Sequence, residues 1–383
     1  MRIVNHILKV ISSLFVKIHI LLINVLFLRI NSFSIINKSQ KINLDIPSLK
    51  GQLPESSIGF FNSYKSPLYK IYNCPNSCIS VLGVLSSNGF VLPYNLPVEN
   101  LAQSIILISA YKKIISLKNP NEFKEGSYIL FFNPFSYSNI AHWLTEALVR
   151  IWICRDIIKI NDQFLIPKSN MTEFAIESIR ALGFQNDCLI HDSSRVIFQQ
   201  VKVINSSGRQ SEFDPCLPEI RETILAKTNN LTFASKESYI LYVKRHEKSN
   251  RKILNEEEVL ESLKSQFEVK VIEPSQMSFN QQVREFSKTR YVISMHGAAL
   301  ANIIWMKKGA HVVELYKDLR NYYENIYGPP KTPSSWYSRL SAVMSLEYHL
   351  FQCIPSASQS KNVDTTLIVD CKKLTKLLKK IFI

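Results

Sequence analysis

The sequence predicts an α/β protein built as two Rossmann-like domains, each a parallel sheet wrapped by helices, and three observations carry that expectation. From about residue 121 onward, short apolar runs alternate with helical patterns, the order expected of strands joined by crossover helices. The chain has 383 residues, more than one ordinary core supports and enough for two. A stretch dense in turn formers, SSGRQSEFDPCLPE at 206–219, divides the alternation into two halves and reads as an interdomain linker.

The first half opens with YILFF (Tyr128–Phe132), a short apolar run suited to a buried parallel strand. Helical periodicity follows over Asn139–Cys154, then a strand at Gln163–Ile166, a helix at Thr172–Leu182 and a strand at Val201–Ile204. Residues 37–121 are punctuated by Pro and Asn and give no assignment. In the second half, strands are expected at Ser238–Lys244, Glu268–Glu273, Tyr291–Ser294 and His311–Leu315. Helices are expected between them at Asn255–Phe267, Ser278–Ser287 and Ala298–Met306. Four parts result: a membrane-associating segment over 1–36, Rossmann-like domains over 37–210 and 211–370, and a basic amphipathic helix over 371–383.

Composition narrows the class. Hydrophobic residues at 46% and charged residues at 20% are globular proportions. A formal charge of +15 suggests anionic company, in nucleic acid, a membrane surface or phosphorylated substrates. No nucleic-acid motif accompanies it, so nucleic acid is not expected as a partner. The seven cysteines form no CxxC pairs and read as free thiols of a reducing compartment. Sequons at Asn37, Asn170, Asn205 and Asn230 give slight support to a secretory location. At the N-terminus, the apolar run Ile18–Leu28 is shorter than the roughly 20 residues that span a bilayer, so the segment suits an interfacial helix, with a poor signal-anchor or a helix packed on the protein as the alternatives. At the C-terminus, Leu374, Leu377, Leu378 and Ile381 share one helical face and five lysines the other. That helix either lies on an anionic membrane surface or docks on the protein body.

Chemistry concentrates in three strings. In RYVISMHGAALANIIWMKKGAHVVELY, a strand ends just before His296-Gly297-Ala298-Ala299, which turns into a helix. Small residues there admit a close ligand, and the first helix amides suit a diphosphate. Upstream, YVKRHEKSNRKILNEEEV follows another strand and so brings Arg245 and Arg251 to the same sheet edge, where they could clamp that diphosphate. Glu314, late in the last strand, could accept hydrogen bonds from ribose hydroxyls. In the first half, His142 and Glu146 lie four apart on one helical face, with Arg150 four further on. Such a pair suits a general base with an orienting partner, or else a structural salt-bridged face.

Taken in order, NIAHWLTEALVRI, VKRHEKSNRKILNEEEV and SFNQQVREFSKTRYVISMHGAALANIIWMKKGAHVVEL resemble glycosyltransferase family 61, over roughly Asn139 to Tyr316. The resemblance implies a GT-B arrangement with the two sheets facing a central cleft, and inverting transfer from a nucleotide sugar, UDP-linked, to a glycan or lipid-linked glycan acceptor. It implies that Arg245, Arg251, His296 and Gly297 surround the donor's diphosphate, and Ala298 and Glu314 join them as donor-binding residues on the reading of the turn and strand given above. It also implies that the His142/Glu146 helix faces the acceptor; Glu146 is the expected base with His142 orienting it, the exchanged roles being the alternative. No cofactor or metal is expected beyond the nucleotide-sugar co-substrate. Ala299 departs from the family's HGAGL string. The expected role is capsular or other surface polysaccharide synthesis on the cytoplasmic face of a bacterial inner membrane, with a lumenal Golgi enzyme as the alternative. A non-catalytic assembly factor keeping a degenerate transferase fold is the rival reading.

Overall fold

The computed structural model describes residues 33–37, 40–43, 63–87, 90–92, 122–192, 196–206, 212–228, 239–246, 251–317, 336–355 and 366–382. Most of the N-terminal segment expected to associate with a membrane lies outside them. Among the described residues no helix is long and apolar enough to cross a membrane. The described residues fall into two compact units, one drawn from Met1–Gln40 and Pro67–Arg209, the other from Lys41–Ser66 and Gln210–Ile383.

In chain order the strands are β1 (Phe33–Ile35), β2 (Lys41–Asn43), β3 (Ser63–Lys65), β4 (Tyr69–Ile79), β5 (Leu85–Ser87), β6 (Phe90–Leu92), β7 (Glu122–Leu130), β8 (Asp162–Pro167), β9 (Cys188–His191) and β10 (Val196–Ser206). They continue as β11 (Ile240–Val243), β12 (Val269–Ile272), β13 (Tyr291–Met295), β14 (His311–Lys317), β15 (Glu347–Pro355) and β16 (Leu367–Ile368).

The first unit holds a sheet in the order β6-β5-β4-β10-β7-β8-β9, with β1 on β4. Strands β10, β7, β8 and β9 run parallel, whereas β10 with β4, and β1, β4, β5 and β6 among themselves, pair antiparallel. This corrects the expectation of a parallel sheet here. Strand β4 is hidden in the sequence because YKIYNCPNSCI carries a turn signal at its centre. Pro75 gives no amide to the ladder, and Asn76 takes a left-handed φ of 45°. Neighbouring strands around β7 follow the rule of a doubly wound sheet: β8 and β9 extend to one side, and β10 returns to the other. The order therefore reverses between β7 and β10, and ligands of such sheets bind beyond the strands' C-terminal ends at that reversal. The core against this sheet is aromatic, with Phe131, Phe132, Trp143, Phe164 and Phe198 all sealed from solvent.

The second unit is closer to the expectation. Its sheet runs β12-β11-β13-β14-β15-β16, parallel from β12 to β15, with β16 antiparallel. Here the order reverses between β11 and β13. The linker expected over 206–219 ends inside ordered structure: Phe213 is buried, and a helix over Leu217–Lys227 begins with Pro218 in its first turn. The C-terminal helix, Cys371–Ile381, is capped by Asp370, whose side chain accepts from the Lys373 amide. It buries Leu374 and Leu378 in the unit's core, with Leu377, Ile381 and Phe382 packed against it. Of the two readings the sequence left open, the docked one is what forms: the apolar face is spent on the protein. Lys372, Lys373, Lys376, Lys379 and Lys380 remain exposed.

Candidate functional site

In the second unit the reversal between β11 and β13 gathers the residues singled out from the sequence. The loop after β11 supplies Arg245 and Arg251, and the chain leaving β13 supplies His296 and Gly297. Both guanidinium groups donate to one acceptor: Arg245 Nη1 reaches the His296 carbonyl at 2.8 Å and Arg251 Nη1 at 3.3 Å. Gly297 is extended, so its need is steric rather than conformational. A Cβ there would lie 1.9 Å from Arg245 Nη1. The Gly297 carbonyl accepts from the Tyr337 hydroxyl at 2.5 Å and from the Leu300 amide at 3.0 Å.

Beside this junction lies a cavity of about 340 Å³ whose lining includes Lys244, Arg245, His246, Arg251, Lys252, Glu256 and Met295. Four fixed cations against one carboxylate make it a site for an anion. Arg251 and Met295 also border a smaller recess with His296, Tyr316 and Lys317. Burial, and after it the neighbouring Arg251, pull the Lys317 ammonium below its ordinary pKa.

Two expectations change. The helix expected from Ala298 is a 3₁₀-helix over Ala298–Trp305, so its first turn is closed by the Leu300-to-Gly297 bond. Its geometry is set by Asn302, fully buried, which donates to Gln282 Oε1 and the Ala299 carbonyl and accepts from Trp305 Nε1. Glu314, expected to meet ribose hydroxyls, is 1% exposed and has both oxygens engaged. One accepts from His296 Nδ1, the other from the Tyr348 hydroxyl at 2.6 Å. It supports His296 instead of lining the cavity, and Glu256 is the carboxylate that does line it.

In the first unit the His142/Glu146 segment begins a short way beyond the C-terminal end of β7. A helical turn over Ile140–His142, capped by Asn139, passes into a π-turn over Trp143–Ala147 and returns to α-helix over Leu148–Ile153. The sequence predicts an unbroken α-helix here. The inserted residue widens the turn that holds Glu146, and π-bulges of this kind are frequent at functional sites. Trp143 anchors it, donating from Nε1 to Ser178 Oγ at 3.0 Å. His142 Nδ1 and Glu146 Oε1 are 2.6 Å apart, and Arg150 Nη2 is 3.9 Å from Glu146 Oε2. Arg150 is nearly sealed from solvent and donates from Nη1 to the Phe131 carbonyl at 2.8 Å. Burial pushes the Glu146 carboxyl up, but His142 and Arg150 outweigh it and hold the group below its ordinary range. Glu146 is therefore ionised at neutral pH, while a quarter of its side chain stays exposed.

Sequence reasoning missed Tyr337, Tyr348, Lys317 and Glu256. Tyr337 closes the aromatic string from Asn321, and Tyr348 sits in EYHLFQCIP, an ordinary-looking strand. Only the sheet register, which sets Glu314 beside Ser294 on one side and Leu350 on the other, brings β15 into the site.

Residues 140–313 match the family model described as Glycosyltransferase 61. The match starts two residues before His142 and ends one residue before Glu314, so it includes both arginines and His296. Among curated relatives, Protein O-linked-mannose beta-1,4-N-acetylglucosaminyltransferase 2 of Homo sapiens is 28% identical over 177 residues, 44% of this chain and 30% of the relative. The protein of that name from Xenopus laevis is 42% identical over 82 residues, 21% of this chain and 14% of the relative. The one from Danio rerio is 36% identical over 70 residues, covering 18% and 12%. The chain thus spans less than a third of the length of these relatives.

Proposed function

We propose that this chain, which belongs to glycosyltransferase family 61 over residues 140–313, is an inverting glycosyltransferase. In this reading it moves a sugar from a UDP-linked donor to a glycan hydroxyl. The observation that carries it is the convergence of Arg245 and Arg251 on the His296 carbonyl, at a strand-order reversal and beside a cavity lined by four cations.

The chemistry follows from the residues. An acceptor hydroxyl gives its proton to a base as its oxygen attacks the anomeric carbon, and the bond from that carbon to the diphosphate oxygen breaks. Glu146 is the proposed base: it is ionised, it is the more exposed member of its pair, and His142 holds one of its oxygens while the Arg150 charge stands 3.9 Å from the other. Arg245, Arg251 and His296 receive the charge that builds on the departing nucleoside diphosphate, the kind of preorganised electrostatic stabilisation that often dominates catalysis. These cations perform the task a metal performs in other transferases, so added chelator is expected to leave turnover unchanged.

The relatives named above are vertebrate and transfer N-acetylglucosamine by name, which makes UDP-N-acetylglucosamine the first donor to test. They lend no support to the capsular and bacterial parts of the expectation. The test is release of UDP from a panel of UDP-sugars, with and without mannosyl and other glycan acceptors. Acceptor-dependent release supports the proposal. Binding of UDP with no turnover on any donor–acceptor pair would instead favour an assembly factor with a degenerate fold.

A further inference from the structure

His296 and His246 are the members of the proposed donor site whose hydrogen-bonding state is not fixed by their chemistry, because either ring nitrogen of a neutral histidine can carry the proton, and His296 is the one bonded to a buried carboxylate. Two residues that do not line the cavity bear on that choice. Glu314, on β14, takes His296 Nδ1 on one carboxylate oxygen. Tyr348, on β15, donates its hydroxyl to the other at 2.6 Å. The relay thus crosses three adjacent strands, from β15 through β14 to the end of β13. Both supports are buried, Glu314 to 1% and Tyr348 to 5% exposure. Burial, and next the Glu314 charge, push the Tyr348 phenol far above its ordinary pKa, so it stays a donor.

Around the imidazole stand Tyr316 and Tyr337, both edge-on, with ring centroids at 4.9 and 5.4 Å. The charged and titratable groups that face His296 are then Glu314 and Lys317 from β14, Arg245 and Arg251 from the loop after β11, Tyr337 from the helix over Trp336–Val343, and Tyr348 from β15. Glu314 is the acid that opposes three cations, and it is bonded to Nδ1.

We propose that Glu314 and Tyr348 are positioning residues that keep a proton on His296 Nδ1 and so assign Nε2 to the phosphate-bearing ligand. This rests on the donor-site reading above. A carboxylate on a histidine's far nitrogen fixes tautomer and ring orientation in catalytic triads and metal sites alike. The consequence here concerns a proton. In a neutral imidazole that carries its proton on Nδ1, Nε2 is an acceptor and would repel a phosphate oxygen. To meet one it must take a proton from solvent, and the resulting imidazolium lies between the Glu314 carboxylate and the diphosphate. Nucleoside diphosphate binding above the ordinary histidine range should therefore draw in a proton.

Two measurements test this. The first is calorimetric titration with UDP at pH 8 in buffers of different ionisation enthalpy. Wild type should take up on the order of one proton per nucleotide, as expected of a histidine, and loss of that uptake in the Glu314 variant separates His296 from His246, the other histidine at the cavity. Glu314→Gln, which keeps the shape of the side chain and removes its charge, should still bind UDP but more weakly and without the uptake. Tyr348→Phe, the milder change, should reduce affinity by less. Binding without proton uptake in wild type overturns this inference and leaves the donor site standing. Failure to bind any nucleoside diphosphate overturns the donor site. The second measurement decides the inference even then, because it uses the free protein. Nitrogen–proton correlation NMR, with His296 assigned through His296→Gln, should show a protonated Nδ1 in wild type, lost in Glu314→Ala. An Nε2–H tautomer in wild type, or no change in the variant, refutes it.

Discussion

The two histidine–glutamate pairs use their carboxylates differently. In the first unit, Glu146 keeps a quarter of its side chain exposed, and its histidine lies four residues away on the same helical segment. In the second, Glu314 is 1% exposed, and its histidine comes from the neighbouring strand, 18 residues away in sequence. A partly exposed, ionised carboxylate can take a proton from a substrate. A buried carboxylate with both oxygens occupied can only set the state of the histidine it holds. In the proposed reading the same two residue types serve as a base in one place and as a support in the other, and burial separates the two.

The largest expected effect breaks the comparison on the first side. Glu146→Gln should lower turnover on the order of 10²–10⁴-fold, the usual contribution of a general base, with nucleotide affinity unchanged. His142→Gln should cost much less, because it removes the orienting partner and leaves the base. Equal losses from the two variants would move the base to His142. On the second side, Gly297→Ala puts a methyl where Arg245 Nη1 now lies and displaces the guanidinium. It should cost about 1.5–3 kcal/mol of nucleotide affinity, one charge-assisted hydrogen bond, and leave Glu146 chemistry intact.

Stability should separate from both. Leu378→Ala removes a fully buried side chain and should destabilise the second unit by about 2–5 kcal/mol. Lys379→Ala, on the exposed face of that helix, should stay within about 0.5 kcal/mol. A measurable loss of binding to anionic vesicles in the lysine variant would restore the membrane reading for this helix. The smallest effect concerns the opposite edge of the second sheet, where His311 Nδ1 and His349 Nε2 lie 3.1 Å apart. Burial, and then His311, push His349 down to about 4. The unfolded chain, with a histidine near its ordinary value of about 6.5, binds the proton more tightly. Stability from this group is thus full above about pH 6.5 and declines as pH falls toward 4. His349→Gln should flatten that decline in thermal unfolding without touching nucleotide affinity.

Much of the second sheet was legible because its strands are continuous apolar runs between amphipathic helices. Arg245, Arg251, His296 and Gly297 were legible as a group because parallel topology sends every strand's C-terminal end to one edge. The first sheet was only half legible. Its parallel strands show, but β4 is broken by Pro75 and Asn76, and an antiparallel partner for β10 has no local signature. The supports of His296 were not legible at all. Nothing in EYHLFQCIP distinguishes Tyr348 until the register of β14 and β15 is known, and Glu314 reads as a ligand residue until its burial is seen. The π-turn under Glu146 is likewise invisible to periodicity, since one inserted residue shifts the helical phase without changing its composition.

The account rests most directly on the donor crevice of the second unit, and calorimetric titration of UDP into wild type and Arg251→Ala tests it. Saturable binding by wild type, weakened at least tenfold in the variant by loss of about 1.5–3 kcal/mol, is the expected result. Undiminished binding in Arg251→Ala, or no binding of UDP, GDP, CMP or dTDP by wild type, would contradict it.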